Sequence, residues 1–241
     1  MPKYYSLPLI ILLGLFLCGC SMLGFHSELE SATASELLQA GKKAMQKGDY
    51  AEAAEYFQRM KENHPFSRQI AEAELGLADA YFRQEKYSAA ESAYKEFESL
   101  HPGNPKIPYV LYRIGRSNLK QFVSIDLSQE EIRQAEEYFT RLVQAYPQSE
   151  YTPEAREYIR KCRSRRVQHE IYVADFYMRT GKYKAAWLRY RSVLEEHKGL
   201  GEIVPYAQKR AREAYYLSLQ QASEEARIAN RGSWRQWFDW L

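Results

Sequence analysis

The residues with the most distinctive chemistry stand near the start of the chain, where Leu17, Cys18, Gly19 and Cys20 follow an apolar run over positions 7–17 and a cationic Lys3. That order matches an export signal ending in a bacterial lipobox, in which a peptidase cuts before a cysteine whose thiol has just been acylated. Cys20 is the expected lipid site. Cys18 fits less well, because bulky Leu17 would then precede the cut, and an ordinary secretory signal leaves the Leu-Gly-Cys order without a purpose. The segment is too short to span a bilayer. Several acyl chains on one cysteine, each buried methylene contributing roughly 0.8 kcal/mol, give the stable anchoring that a single chain does not.

Elsewhere the reactive side chains form no recognisable centre. His26, His64, His101, His169 and His197 lack the spacing of a metal-ligand cluster, and Cys162 is the only cysteine beyond the lipobox, without an activating neighbourhood. There is no phosphate-cradling glycine loop and no Gly-x-Ser-x-Gly elbow. The expectation is a chain that is not an enzyme and carries no metal and no cofactor besides the lipid on Cys20. The formal charge of +3 falls to +2 without Lys3, too near neutral to imply a nucleic-acid partner. The basic run Arg156, Arg160, Lys161, Arg163, Arg165 and Arg166 wraps a helix axis and reads as a solvated face, or else as a contact for an acidic protein.

What must position any functional surface is a repeat. Leu77, Ala78, Tyr81 and Phe82 share one helical face, and after Lys86 a second helix carries Ala90, Ala93, Tyr94 and Phe97 before Pro102 ends it. The pattern recurs upstream as Leu37, Ala40, Gly41 and Ala44, then Gly48-Asp49-Tyr50, Ala53, Phe57 and Met60 before Pro65. A third copy runs through Leu111, Ile114 and Gly115 to Ala135, Phe139 and Leu142, and a fourth through Val173, Ala174 and Tyr177 to Gly181-Lys182-Tyr183, Ala186 and Tyr190. A degenerate fifth places Ala207, Ala211, Tyr215 and Tyr216 in one helix and Ala222, Ala226 and Ala229 in another. A period of about 34 residues is that of tetratricopeptide repeats. The expected fold is all-α, a right-handed tetratricopeptide-repeat solenoid of about five helix pairs, after an N-terminal lipoprotein signal peptide.

The chain divides on this reading into a signal peptide at 1–19, a lipidated tether at 20–34, repeats one to three at 35–152, repeats four and five at 153–231, and an aromatic tail at 232–241. Thr33 or Ser35 is expected to cap the first helix, and Ser149 or Thr152 the long helix that begins near Pro153. The loop between the helices of the third pair, over 122–131, carries apolar residues that suit either a contact or a fold back onto its own pair. In the tail, Trp234, Trp237, Phe238 and Leu241 recur at helical spacing. They serve either as a protein or membrane contact or as the cover of the last repeat.

In such arrays the first helix of each pair lines the concave surface. Its inward positions are expected to be Leu38, Lys42 and Met45, then Leu75, Asp79 and Phe82, then Tyr109, Tyr112, Arg116 and Lys120. Rings among charges of both signs suit an extended peptide with alternating aromatic and polar residues, its terminal carboxylate meeting Arg116 or Lys120. Either tyrosine could instead be a packing residue.

Taken together, the lipobox, Pro65-Phe66-Ser67, His101-Pro102-Gly103-Asn104-Pro105, Tyr109-x-x-Tyr112-x-x-Gly115, Tyr146-Pro147-Gln148-Ser149-x-Tyr151 and His169-Glu170-x-x-Val173-Ala174-x-Phe176-Tyr177 closely resemble the BamD/ComL family of outer-membrane lipoproteins. The likeness reaches to about Tyr216. It implies five repeats and a role in the outer-membrane β-barrel assembly machine. The implied partners are unfolded barrel precursors, a BamA-type barrel subunit bound through its POTRA domains, other Bam lipoproteins, and the membrane through the lipid. In lipoproteins of this kind Ser21, rather than Asp, after the anchor permits sorting to the outer membrane. The resemblance assigns precursor recognition to the N-terminal half and POTRA docking to the half after Pro153. Two departures, the loop that lacks the family's Arg-Asp-Gln run and the tryptophan-rich tail, bear on the accessory partners. An envelope tetratricopeptide coordinator and a pilotin-type lipoprotein are the alternatives. The first would need a coiled-coil segment that positions 21–35 are too short to supply.

Overall fold

Thr33 opens the first helix. Its hydroxyl accepts from the Glu36 backbone N–H at 3.3 Å while its own backbone N–H donates to the Glu36 carboxylate at 2.8 Å, a capping box that satisfies two donors left over at a helix start. The computed structural model describes the backbone of residues 32–196 and 203–238 and the side chains of 32–195 and 203–231. Cys20 lies outside the described residues, as do the side chains of Trp234, Trp237 and Phe238.

The described residues form the helices α1 (Ala34–Lys47), α2 (Tyr50–Asn63), α3 (Ile70–Arg83), α4 (Tyr87–Leu100), α5 (Ile107–Gln121), α6 (Glu130–Ala145), α7 (Thr152–Arg179), α8 (Tyr183–Glu196) and α9 (Val204–Phe238). The chain folds as two compact units, Met1–Asn104 and Pro105–Leu241. Within each, consecutive helices pack on one another through short connections and therefore run antiparallel.

In the N-terminal unit a large ring from each second helix enters the space left by a small residue on the first. Phe57 sits so close to α1 and α3 that a Cβ added at Gly41 would lie 2.5 Å from its ring and one at Gly76 2.7 Å away. In the second pair Ala78 takes the small position and Tyr94 the large one, both fully buried. The turns inside the pairs repeat as well. Gly48 has φ 86° and Glu85 φ 61°, and in each the next residue's N–H reaches back five residues, Asp49 to the Ala44 carbonyl and Lys86 to that of Tyr81, both at 3.0 Å. This is the left-handed helix ending that glycine favours. Glu85 occupies it against its own backbone preference.

In the second unit, Gly115 on α5 faces Phe139 of α6 at 2.7 Å from an added Cβ, and Gly181 (φ 72°) makes the α7–α8 turn. The long helix expected from Pro153 is α7, 28 residues. Neither expected cap holds it. Its N-cap is Tyr151, while the Ser149 hydroxyl accepts from the Tyr151 N–H at 3.3 Å and the Thr152 hydroxyl donates to the Tyr146 carbonyl at 2.7 Å, so both pin the preceding turn. The basic run is only partly a solvated face. Arg163 and Arg166 grip the Glu136 carboxylate of α6 at 2.8 and 3.0 Å, and Arg165 lies over the Phe122 ring at 5.0 Å. The loop over 122–129 folds back. His169 donates through Nδ1 to the Ile125 carbonyl at 2.5 Å, and the Gln129 amide donates to the Leu127 carbonyl at 2.8 Å.

The fifth copy is one helix. α9 packs on α7 and α8 through Ala207, Ala211 and Ala214, but every side chain from Leu219 to Arg231 is exposed, including Ala222, Ala226 and Ala229. No glycine, proline, asparagine or aspartate stands between Tyr216 and Ala229, and Leu, Gln, Ala, Glu and Arg, all strong helix formers, make up most of that stretch, so the helix continues. No described helix is long and apolar enough to cross a membrane.

Candidate functional site

One position organises the inward faces. The residue after the small one on each first helix is Lys42, Asp79, Arg116 or Asp175, following Gly41, Ala78, Gly115 and Ala174. Where the partner ring is phenylalanine this residue is basic, and where it is tyrosine it is aspartate. The reason is a hydrogen bond. Tyr94 donates its hydroxyl to Asp79, and Tyr190 donates to Asp175.

In the N-terminal unit, Leu38 is 1% exposed and belongs to the core, and Met45 is partly buried against it. Lys42 projects from α1 to pair with Glu72 of α3 at 2.6 Å. On α3, Leu75 and Asp79 are partly exposed and Phe82 meets Tyr87 edge-on at 5.3 Å. Leu75, Asp79, Phe82 and Lys42 thus supply a mixed surface, while Leu38 does not reach it.

In the second unit the four expected residues of α5 separate into two roles. Tyr112 is 6% exposed, stacked on Tyr151 at 5.1 Å and close to Phe139 and Tyr158, and is a packing residue. Burial, then its hydrogen bond to the Glu154 carboxylate, pushes its phenol up to about 12. Arg116 donates to the Tyr112 hydroxyl at 2.7 Å, approaches Glu154 at 3.6 Å and lies over the Tyr158 ring at 5.2 Å. Tyr109 is partly exposed, 5.6 Å from Tyr151 with the Arg113 guanidinium over its ring, and Lys120 is exposed in the last turn. Tyr109 also lines a cleft of about 480 Å³ with Pro105, Pro108, Tyr146, Pro147 and Tyr151.

Sequence reasoning missed Tyr151, Glu154 and Tyr158, although their spacing of three and four residues puts them on one face of α7. It also missed Asp175, which besides Tyr190 accepts from Tyr206 at 2.9 Å. A second cleft of about 480 Å³ opens between α8 and α9, walled by Trp187 and Tyr215 at 5.3 Å and edged by Arg191 and Arg212. Flat ring surface edged by fixed charges is a binding chemistry.

Helix pairs that place large rings against small residues and carry ring-and-charge surfaces define a tetratricopeptide scaffold. Over residues 30–228 the chain matches the YfiO family, described as outer membrane lipoprotein, and it belongs to that family. Among its relatives, the outer membrane protein assembly factor BamD of Caulobacter vibrioides is 29% identical over 179 residues, covering 74% of this chain and 58% of that protein. BamD of Neisseria gonorrhoeae is 27% identical over 204 residues, covering 79% of this chain and 76% of that one. This chain therefore spans less than two thirds of the first relative. A solved structure of the TPR2AB domain of yeast Sti1 aligns at a TM-score of 0.47 and 12% identity, covering 78% of this chain and 71% of that one.

Proposed function

We propose that this protein is a non-catalytic scaffold of the outer-membrane β-barrel assembly machinery, held at the periplasmic face by acyl chains on Cys20. In this role it receives unfolded barrel precursors on the inward faces of α3 and α5 and docks the POTRA domains of a BamA-type subunit on the half after Pro153, with other Bam lipoproteins as further partners. The observation that carries the reading is the match to an outer-membrane lipoprotein family over residues 30–228, together with relatives named as assembly factors.

The surfaces fit the roles. On α3 of the first unit, Leu75 and Phe82 offer aliphatic and ring contacts to an extended strand, with Lys42 of α1 as a positive charge; on α5 of the second unit, Tyr109 offers a ring, and Arg116 and Lys120 offer positive charge to a terminal carboxylate. The α8–α9 cleft, with Trp187 and Tyr215 as walls and Arg191 and Arg212 at its edge, suits an acidic segment with an apolar anchor. Trp234, Trp237 and Phe238 would add a partner contact beyond the exposed stretch of α9.

A photo-crosslinking residue placed at Phe82 or Tyr109 in growing cells tests the precursor surface. Capture of unfolded barrel proteins is the expected result, and capture confined to folded soluble proteins would refute it.

A further inference from the structure

We propose that Phe66 and Leu100 make a second membrane contact, seating one end of the N-terminal unit on the lipid surface that holds the anchor. The inference rests on the lipid-anchor reading given above. Phe66 is 99% exposed, more than any other large apolar residue described, and Leu100 is 56% exposed.

Both lie at the end where the tether joins the fold. Because α1 to α4 alternate in direction, the start of α1, the α2–α3 turn and the close of α4 share one end of this unit. A hydrogen bond fixes the first two together: His64 donates through Nε2 to the Ala32 carbonyl at 2.9 Å. Cys20 is twelve residues before Ala32, and a chain of that length spans at most about 40 Å. The tether enters the fold at this end and not at the end carrying Gly48 and Glu85, so Phe66 and Leu100 lie on the side of the unit that faces the anchor.

The turn is built to hold the ring outward. Pro65 restricts the backbone, the Ser67 N–H donates to the His64 carbonyl at 3.0 Å, and the Gln69 N–H donates to the Ser67 hydroxyl at 3.2 Å. Protein interfaces gather their anchoring side chains into a central, closely packed cluster. Here two isolated apolar side chains project from turns and helix ends, with exposed Arg68 beside Phe66 to meet headgroup phosphates. A bilayer interface accepts single projecting side chains of this kind, and membrane attachment gains from a second signal beside the acyl chains.

The test uses the full lipidated chain in vesicles of phosphatidylethanolamine and phosphatidylglycerol. A thiol-reactive fluorophore is attached through Phe66→Cys, and through Lys47→Cys at the opposite end as control. Acylated Cys20 does not react, and buried Cys162, its thiol pushed up to about 12 by burial, is protected. Nitroxide-labelled lipid should quench the probe at position 66 severalfold more than the probe at 47. Equal quenching at both positions overturns the proposal, and so does blue-shifted emission without lipid quenching, which would mean that protein covers the turn. If the lipidated chain does not float with the vesicles, the anchor reading itself has failed and the proposal falls with it. Floating protein with an unquenched probe overturns the membrane contact alone.

Discussion

Tyr94 donates its hydroxyl to the carboxylate of Asp79, fifteen residues earlier, and Tyr190 stands in the same relation to Asp175. In the other two pairs the ring is Phe57 or Phe139, the small residue is Gly41 or Gly115 rather than alanine, and the aspartate is replaced by Lys42 or Arg116. The hydroxyl and the acid occur together because a buried phenol needs an acceptor. Tyr94→Phe should therefore destabilise the protein by about 1.5 kcal/mol, the range for a hydrogen bond to a charged group. Asp79→Ala added to that variant should cost little more, and a double-mutant cycle by chemical denaturation measures the coupling. Additive losses would show that the pair does not act as a unit.

Glu85 holds φ 61° where the first and fourth repeats use Gly48 and Gly181. Glu85→Gly should raise stability by about 0.5–1 kcal/mol, the released strain outweighing the glycine's unfolded-state entropy. Thermal unfolding checks this, with a rise of a few degrees expected.

Much of this was legible in the residues. Small-then-large pairs in all four, closing prolines in the first three and Gly-x-Tyr turns in the first and fourth specified the first four helix pairs, because each is a local rule that recurs along the chain. The fifth was not legible. Ala222, Ala226 and Ala229 have the spacing of a packed face, yet periodicity does not say whether a partner exists, and with no glycine, proline, asparagine or aspartate between Tyr216 and Ala229 α9 continues as one helix. The roles of Tyr112 and Arg116 were likewise hidden, since they depend on Tyr151, Glu154 and Tyr158 arriving from α7. The grip of Arg163 and Arg166 on Glu136 was masked by a run of like charges that looks uniform along the chain.

Alkaline pH should weaken the fold. The Tyr112 phenol rises from 10.0 to about 12 and the Cys162 thiol from 9.0 to about 12, each chiefly through burial. A group with a raised pKa in the folded state contributes stability that is complete below its unfolded value and is lost as pH climbs toward the folded one. Melting temperature should begin to fall near pH 9 and continue to fall toward pH 12. Tyr112→Phe should flatten the upper part of that decline, and an unchanged slope would contradict the assignment.

Tyr109 and Tyr112 should respond differently to truncation. Tyr112→Ala removes a buried ring and should cost about 3 kcal/mol of stability or more. Tyr109→Ala should leave melting nearly unchanged and weaken binding of a C-terminal barrel-precursor peptide by about 1–3 kcal/mol if it anchors that peptide. Calorimetry of both variants, with peptide titration of the folded one, separates packing from recognition. Unaltered peptide affinity in Tyr109→Ala would remove α5 from the precursor surface.

The scaffold role is tested most directly by what the lipidated chain holds in the membrane. Capture of the chain from mildly solubilised outer membranes should bring down a β-barrel protein carrying POTRA domains in comparable amount, and Arg191→Glu with Arg212→Glu should reduce that recovery while the fold survives. Recovery of a pilus or cell-division protein in its place, with no POTRA-bearing barrel, would contradict the assignment.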